Sequence, residues 1–182
     1  MLTACGTPQL QIAEIDQATG KIISTTPISN AVVIAAKTIS LKSYKGMLFV
    51  SDWGQPGTDE TYMRTSVFIK QVMALNCFDR VLDSKGLAQV IATEGLSNKV
   101  ENTHEPLSLN RLYHTYQPFL WVHFESGGSA IHPYAKIIVT NPSTLDNVFI
   151  GQTAFSGWVG ITNEQGFYPL FNAFSVWLRQ NW

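Results

Sequence analysis

The order of helix-like and strand-like segments is the feature that most constrains the fold of this 182-residue chain. From residue 45 the hydrophobic pattern predicts β-α-β-α, a weakly patterned segment at 97–117, and then β-β-β-α. Helices between the first strands require crossover connections, whereas short turns between the later strands allow an antiparallel meander. We therefore expect an α+β (α/β-like) fold, a mixed β-sheet with helices packed on it, in the order β-α-β-α-loop-β-β-β-α, plus an N-terminal hairpin at Gln9–Thr25.

The first half of the chain carries distinct signals for individual elements. The apolar run of Lys45–Trp53 is continuous, which is typical of a strand buried on both faces. Thr58 and Ser84 are the predicted N-caps of two amphipathic helices, and Gly95 is predicted to end the second. The segment Val32–Ala36 is ambiguous, because its β-branched residues favour a strand and its alanines favour a helix.

The second half of the chain is richer in strands. The predicted strands are Phe119–Glu125, Ala135–Thr140 and Val148–Phe155, and the Ser-Gly-Gly-Ser run at 126–129 is predicted to turn the chain after the first of them. Pro169 is expected at the first position of the last helix, where its missing N–H costs nothing. The weakly patterned segment at 97–117 fits either a short helix or a long loop.

Charge is sparse in this chain. Charged residues make up 14% of the sequence and the net charge is −1, with no block of like charge. Binding to nucleic acid requires clustered Lys and Arg, so we expect no nucleic-acid partner. No apolar run approaches the roughly 20 residues of a membrane-spanning helix. Of the two cysteines, Cys77 follows an apolar helical pattern and is expected to be a small core residue.

Few residues are spaced for catalysis or metal binding. The four histidines lie nine or ten positions apart, which is not a metal-ligand spacing, so we expect surface histidines, no metal and no cofactor. Asp52 follows the first buried strand, at the end of a strand where α/β folds bind ligands. The acids at 59 and 60 are equally explained by a helix N-terminus. Trp53 and Trp158 lie beside glycines, so they either bind a protein partner or cap the ends of the core.

The N-terminus contains Leu2-Thr3-Ala4-Cys5 followed by Gly6. This run resembles the lipobox of bacterial lipoproteins, which implies lipidation of Cys5. Residues 1–8 are then the lipobox remnant and a short tether, and 9–182 form a single α/β domain. Gly6 rather than Asp after the cysteine resembles lipoproteins exported to the outer membrane, on its periplasmic side. The alternative is a domain with no membrane link, in which Cys5 is an incidental thiol.

Together with Cys5, the element order resembles a group of envelope lipoproteins that includes the curli-secretion lipoprotein, the activators of penicillin-binding proteins and the N-terminal domain of the Tol propeller protein. The corresponding segments here are Met47–Trp53, Tyr62–Asn76, Phe78–Val81, Ser84–Leu96, Phe119–Glu125, Ala135–Phe155 and Pro169–Asn181. The long segment Asn98–Gln117 and the extra N-terminal hairpin depart from the pattern of the group.

The resemblance implies a function as well as a fold. Members of this group mostly bind other envelope proteins or assemble into rings, and they are generally not enzymes. We therefore expect a lipid-anchored, non-enzymatic binding or assembly lipoprotein. Its partners are the membrane, through lipidated Cys5, and either an envelope protein or further copies of itself. The alternative is an enzyme of unknown class that uses the loop Asp52–Glu60.

Overall fold

A computed structural model of the chain describes residues 18, 30–52, 59–100, 102–129, 132–154 and 164–182. Apart from Ala18, the predicted hairpin Gln9–Thr25 lies outside the described residues, as does the predicted cap Thr58. The elements are β1 (Asn30–Ala36), a short 3-10 helix (Leu41–Tyr44), β2 (Leu48–Val50), α1 (Asp59–Ala74), β3 (Val81–Leu82), α2 (Ser84–Thr93), α3 (Pro106–Thr115), β4 (Leu120–Gly128), β5 (Pro133–Asn141), β6 (Asp146–Ala154) and α4 (Glu164–Gln180).

The strands form one six-stranded sheet in the order β1-β6-β5-β4-β2-β3. Strand β2 pairs in parallel with both β3 and β4, which is the result of the predicted helical crossovers. Strands β4, β5 and β6 form the predicted antiparallel meander, and β1 adds antiparallel to β6. The expectation of an α+β fold with a mixed sheet and packed helices is therefore confirmed. Among the described residues, no helix has the length and apolarity needed to cross a membrane.

Strand β2 is buried on both faces of the sheet. Leu48 and Val50 pack into one hydrophobic cluster, which also contains Phe68 of α1 and residues of α4. Met47 and Phe49 point to the other face and pack with residues of α2 and α3. These four residues are fully buried. The apolar run is therefore continuous because both faces of the strand are covered, as predicted.

The end of α4 is hydrogen-bonded to the segment that follows β1. The side-chain oxygen of Asn181 accepts a hydrogen bond of 2.7 Å from the backbone N–H of Ile39. The backbone oxygen of Asn181 accepts another, of 2.9 Å, from Leu41. One turn earlier, the indole nitrogen of Trp177 donates to the backbone oxygen of Lys37 at 3.1 Å. The end of α4 thus fixes the segment that follows β1.

The cap of α2 differs from the prediction. Asp83, not Ser84, is the N-cap, and its carboxylate accepts a 2.6 Å hydrogen bond from the N–H of Gly86. The extended backbone of Asp83 turns its carboxylate towards the free N–H groups of the first turn, whereas Ser84 is already helical. Gly95 follows this helix with a φ of 67°, as predicted for a residue that ends a helix in the left-handed region.

The predicted turn at 126–129 is wrong. Ser126, Gly127 and Gly128 are the last residues of β4, and they pair with β5 as far as Pro133. Gly127 lies within the strand, and the side chain of Tyr134 lies over it, where a Cβ would come within 2.7 Å of the hydroxyl oxygen. The close approach of an aromatic ring explains a glycine here better than a turn does.

The predicted start of the last helix is also wrong. Helix α4 begins at Glu164, so Pro169 lies inside it rather than at its first position. The proline ring removes one helical hydrogen bond, but the helix continues because its apolar stripe is buried against the sheet. That stripe consists of Tyr168, Leu170, Phe171, Phe174, Trp177 and Leu178.

Three further segments are resolved by the structure. The ambiguous Val32–Ala36 belongs to strand β1, and the weakly patterned 97–117 contains helix α3, which begins with a proline. The strand predicted between the first two helices is short and covers only Val81–Leu82. Cys77 before it is free and buried, as predicted, and burial raises the pKa of its thiol. A buried thiol with a raised pKa is a packing residue rather than a nucleophile.

Candidate functional site

The predicted site residues fall at the carboxyl end of β2 and in segments outside the described residues. Asp52 follows β2 directly and is half-buried. Trp53, Trp158 and the proposed lipidation site Cys5 lie outside the described residues. The contribution of these three residues therefore stays a prediction.

A buried hydrogen bond joins the end of β2 to β4 beside Asp52. The indole nitrogen of Trp121 in β4 donates to the hydroxyl of Ser51 at 2.7 Å, and both side chains are buried. The backbone N–H of Ser51 donates to the oxygen of Val122 at 2.9 Å, which extends the pairing of β2 and β4 by one residue. Ser51 therefore acts here as an acceptor that satisfies a buried indole N–H.

The ring of His123 packs on the ring of Trp121. The centroids of the two rings are 4.3 Å apart and the rings are inclined by 34°. Burial lowers the pKa of the imidazole, and the carboxylate of Glu125 raises it in part. The Nδ1 atom of His123 is buried and has no hydrogen-bond partner. His123 is thus a mostly neutral aromatic packing residue, which corrects the expectation that all four histidines lie on the surface.

A charged and aromatic row continues along the same face of the sheet. Lys136 in β5 is 3.2 Å from the carboxylate of Glu125 in β4, and its ammonium lies 5.1 Å from the ring centroid of Tyr134. The charges of Lys136 and Glu125 are thus paired with each other. His104, His114 and His132 are exposed. Within the part of the chain that the structure describes, no group of three His, Cys, Asp or Glu side chains is placed to bind a metal ion.

The sequence did not predict the second candidate site, the outer edge of the sheet at β1. Among the described residues, strand β1 is the end strand of the sheet, and it pairs on its inner side with β6. Its side chains Val32, Val33 and Ile34 are 62%, 48% and 54% exposed, respectively. The strand contains neither a charged residue nor a proline, the two residue classes that usually protect an edge strand from pairing with another chain.

The opposite edge of the sheet is different. Strand β3 consists of two residues, Val81 and Leu82, with Arg80 before them and Asp83 after them. A very short edge strand flanked by charge does not offer a template for strand addition. Of the two sheet edges, β1 is therefore the one suited to protein binding. The signal in the sequence is the uncharged run Asn30–Ala36, but its position at an edge depends on its pairing with β6, more than 100 residues later in the sequence.

No protein-family model and no curated protein sequence matches the chain. Among solved structures, the PelC dodecamer from Paraburkholderia phytofirmans is similar, with 10% identity, 82% of this chain and 96% of that chain covered, and a TM-score of 0.45. The LpoB C-terminal domain from Escherichia coli has 14% identity, coverages of 63% and 85%, and a TM-score of 0.43. The lipoprotein GNA1162 from Neisseria meningitidis has 14% identity, coverages of 62% and 81%, and a TM-score of 0.38.

These structures match the group of envelope lipoproteins that the sequence pattern resembles. At such identities and TM-scores, we infer nothing from them about what this chain binds.

Proposed function

We propose that the chain is a non-enzymatic binding or assembly lipoprotein of the bacterial envelope that acts on other envelope proteins. In this proposal Cys5 carries the lipid, residues 1–8 comprise the lipobox remnant and a short tether, and 9–182 form the domain, held on the periplasmic side of the outer membrane. The anchor is supported by the lipobox-like run that ends at Cys5.

The single observation that supports binding most directly is the exposed, uncharged edge strand β1. An unpaired strand edge presents its backbone N–H and C=O groups in a row, and a partner strand can pair with them while its side chains meet those of Val32 and Val33. Exposed apolar groups on such an edge are otherwise a source of aggregation. We propose Asp52, Trp53 and Trp158 as further contact residues, because aromatic residues are enriched in protein interfaces.

The lipid anchor is tested by fractionating cells that express the full-length gene product and measuring the intact mass of its N-terminus. We expect a triacyl mass and recovery with the outer membrane for the wild type, and a soluble, unmodified Cys5→Ser variant. The matched control is Cys77→Ser, which removes the other cysteine and is expected to leave the lipid mass unchanged. An unmodified wild type in the soluble fraction would overturn the anchor.

Binding at β1 is tested with a photo-crosslinking amino acid placed at Val32 in living cells. The matched control position is Met73 on α1, which is as exposed (56%) and as apolar but lies on a helix. We expect a discrete product at position 32 that contains an envelope protein or another copy of the chain, as identified by mass spectrometry, and no such product at position 73. Equal patterns at the two positions would contradict a binding function for the β1 edge.

A further inference from the structure

We propose that the partner of the β1 edge is a second copy of this chain, with the two β1 strands paired antiparallel about a two-fold axis. The proposal rests on the proposed binding function of that edge and names its partner. It follows from the inequality of the two sheet edges, from the absence of charge in β1, and from the position of the nearest charged residue.

The two edges of the sheet do not fit each other. Strand β1 has seven residues, whereas β3 has two and is flanked by Arg80 and Asp83. Head-to-tail assembly, with β1 of one copy against β3 of the next, would leave most of β1 without a partner strand. Pairing of β1 with β1 is isologous, so both strands have the same length and the same apolar side chains. For two copies of this chain, the sheet therefore continues through β1 alone.

Charge does not oppose this pairing. None of the residues Asn30–Ala36 is charged, and the net charge of the whole chain is −1. The first charged residue after the strand is Lys37, whose ammonium lies 3.3 Å from the carboxylate of Asp146 in the same copy. In an antiparallel pair, the Lys37 residues of the two copies lie at opposite ends of the paired segment. Like charges therefore do not face each other across the axis.

A bulge in β1 determines how strong the association is. The register with β6 shifts between Val33 and Ala35, so Ile34 has no opposite residue and the regular part of the strand is Asn30–Val33. Four regular residues on each side bury less surface than a stable dimer interface requires. We therefore expect a weak, concentration-dependent dimer in solution. Anchoring of both copies on one membrane raises their effective concentration and strengthens the pair.

The first experiment measures the oligomeric state by sedimentation velocity over a wide concentration range, with the lipid site removed by Cys5→Ser. We expect a monomer–dimer equilibrium that Val33→Lys weakens about ten-fold or more, because it places a charged side chain in each strand of an apolar pairing. Met73→Lys is the control for an added surface charge and is expected to leave the dimer unchanged. A dimer that persists in Val33→Lys, or is lost equally in Met73→Lys, would overturn the proposal.

The second experiment reports on the geometry and remains informative if the dimer is weak. One cysteine at a time is introduced at positions 30 to 33 in the Cys5→Ser background, which retains the buried Cys77, and the variants are oxidised, with Met73→Cys as the control. We expect disulfide-linked dimers with a maximum at one or two neighbouring positions and none at position 73. A uniform low yield at all positions would overturn the two-fold pairing.

The photo-crosslink at Val32 separates this inference from the proposed function. A product that joins position 32 of one copy to positions 30–33 of another copy supports the dimer. A product with a different envelope protein, in a chain that sediments as a monomer, supports the binding function and overturns the dimer. A product within one chain, joining position 32 to residues 1–29, would show that the chain covers its own edge and would overturn both.

Discussion

The indole nitrogen of Trp121 and the hydroxyl oxygen of Ser51 are 2.7 Å apart, and this bond joins β4 to the end of β2 within the buried part of the protein. We expect Ser51→Ala to lower the free energy of unfolding by about 1–3 kcal/mol, because it leaves a buried N–H without a partner. The measurement is urea denaturation of Ser51→Ala, Trp121→Phe and the double variant. The two changes are expected to be non-additive, since both remove the same bond.

The control for that prediction is Thr93→Ala. The hydroxyl of Thr93 bonds only within its own helix, to the oxygen of Gln89, and is exposed, so its removal is expected to change stability by no more than about 0.5 kcal/mol. If Ser51→Ala is as stable as this control, the buried hydrogen bond does not contribute to the free energy of unfolding.

Two glycines of the sheet are expected to respond differently to an added methyl group. A Cβ at Gly151 would lie 2.9 Å from Leu170 and 3.1 Å from the ring of Phe149, both fully buried. We expect Gly151→Ala to destabilise the protein by about 1–3 kcal/mol through overpacking between β6 and α4. At Gly127 the neighbour is the half-buried ring of Tyr134, which can turn away, so Gly127→Ala is expected to cost less. Chemical denaturation of both variants tests the order, and an equal cost would contradict it.

The environment of His123 makes stability depend on pH. Burial holds the folded-state pKa of His123 below the value of about 6.5 in an unfolded chain. As the pH falls, the unfolded chain therefore binds a proton at His123 before the folded protein does. The stability contributed by neutral His123 is complete above a pH of about 6.5 and is lost as the pH falls from there towards the folded-state pKa. We expect the free energy of unfolding to fall between pH 7.5 and pH 5, and to fall less in His123→Phe. An identical pH profile for the variant would show that other groups are responsible.

Helix α2 allows the choice of N-cap to be measured at two adjacent residues. Asp83→Ala removes the carboxylate that accepts from Gly86 and is expected to cost about 1 kcal/mol, whereas Asp83→Asn retains an acceptor and is expected to cost less. The hydroxyl of Ser84 is buried without a partner, so Ser84→Ala is expected to be neutral or stabilising. The measurement is thermal unfolding of the three variants. A larger loss of stability in Ser84→Ala than in Asp83→Ala would show that Ser84 is the N-cap.

Periodicity and apolar runs predicted most of the fold, because burial acts on whole segments. The buried strand within Lys45–Trp53 was predicted because both of its faces are covered, although β2 itself spans only Leu48–Val50. Local signals failed where a tertiary contact changed their meaning. Gly127 was expected in a turn but lies in β4 beneath the ring of Tyr134. Pro169 was expected to begin a helix, but the buried stripe of α4 extends the helix on both sides of it.

The candidate site was predicted less well than the fold. Asp52 was correctly located at the end of a buried strand, because that position follows from the strand itself. The bond between Ser51 and Trp121 joins residues 70 positions apart, and the edge position of β1 requires β6 as its neighbour. Pairings of this kind depend on which segments meet in three dimensions, and no local pattern in one sequence encodes them.

The hydrogen bonds between Asn181 and the segment after β1 have a consequence for biosynthesis. Positions 39 and 181 are 142 residues apart, and β1 also needs β6, which lies more than 100 residues later in the sequence, before it can pair. During synthesis β1 is therefore made well before the elements that hold it, so its pairing is a late step of folding. During that interval the uncharged β1 segment is available to chaperones.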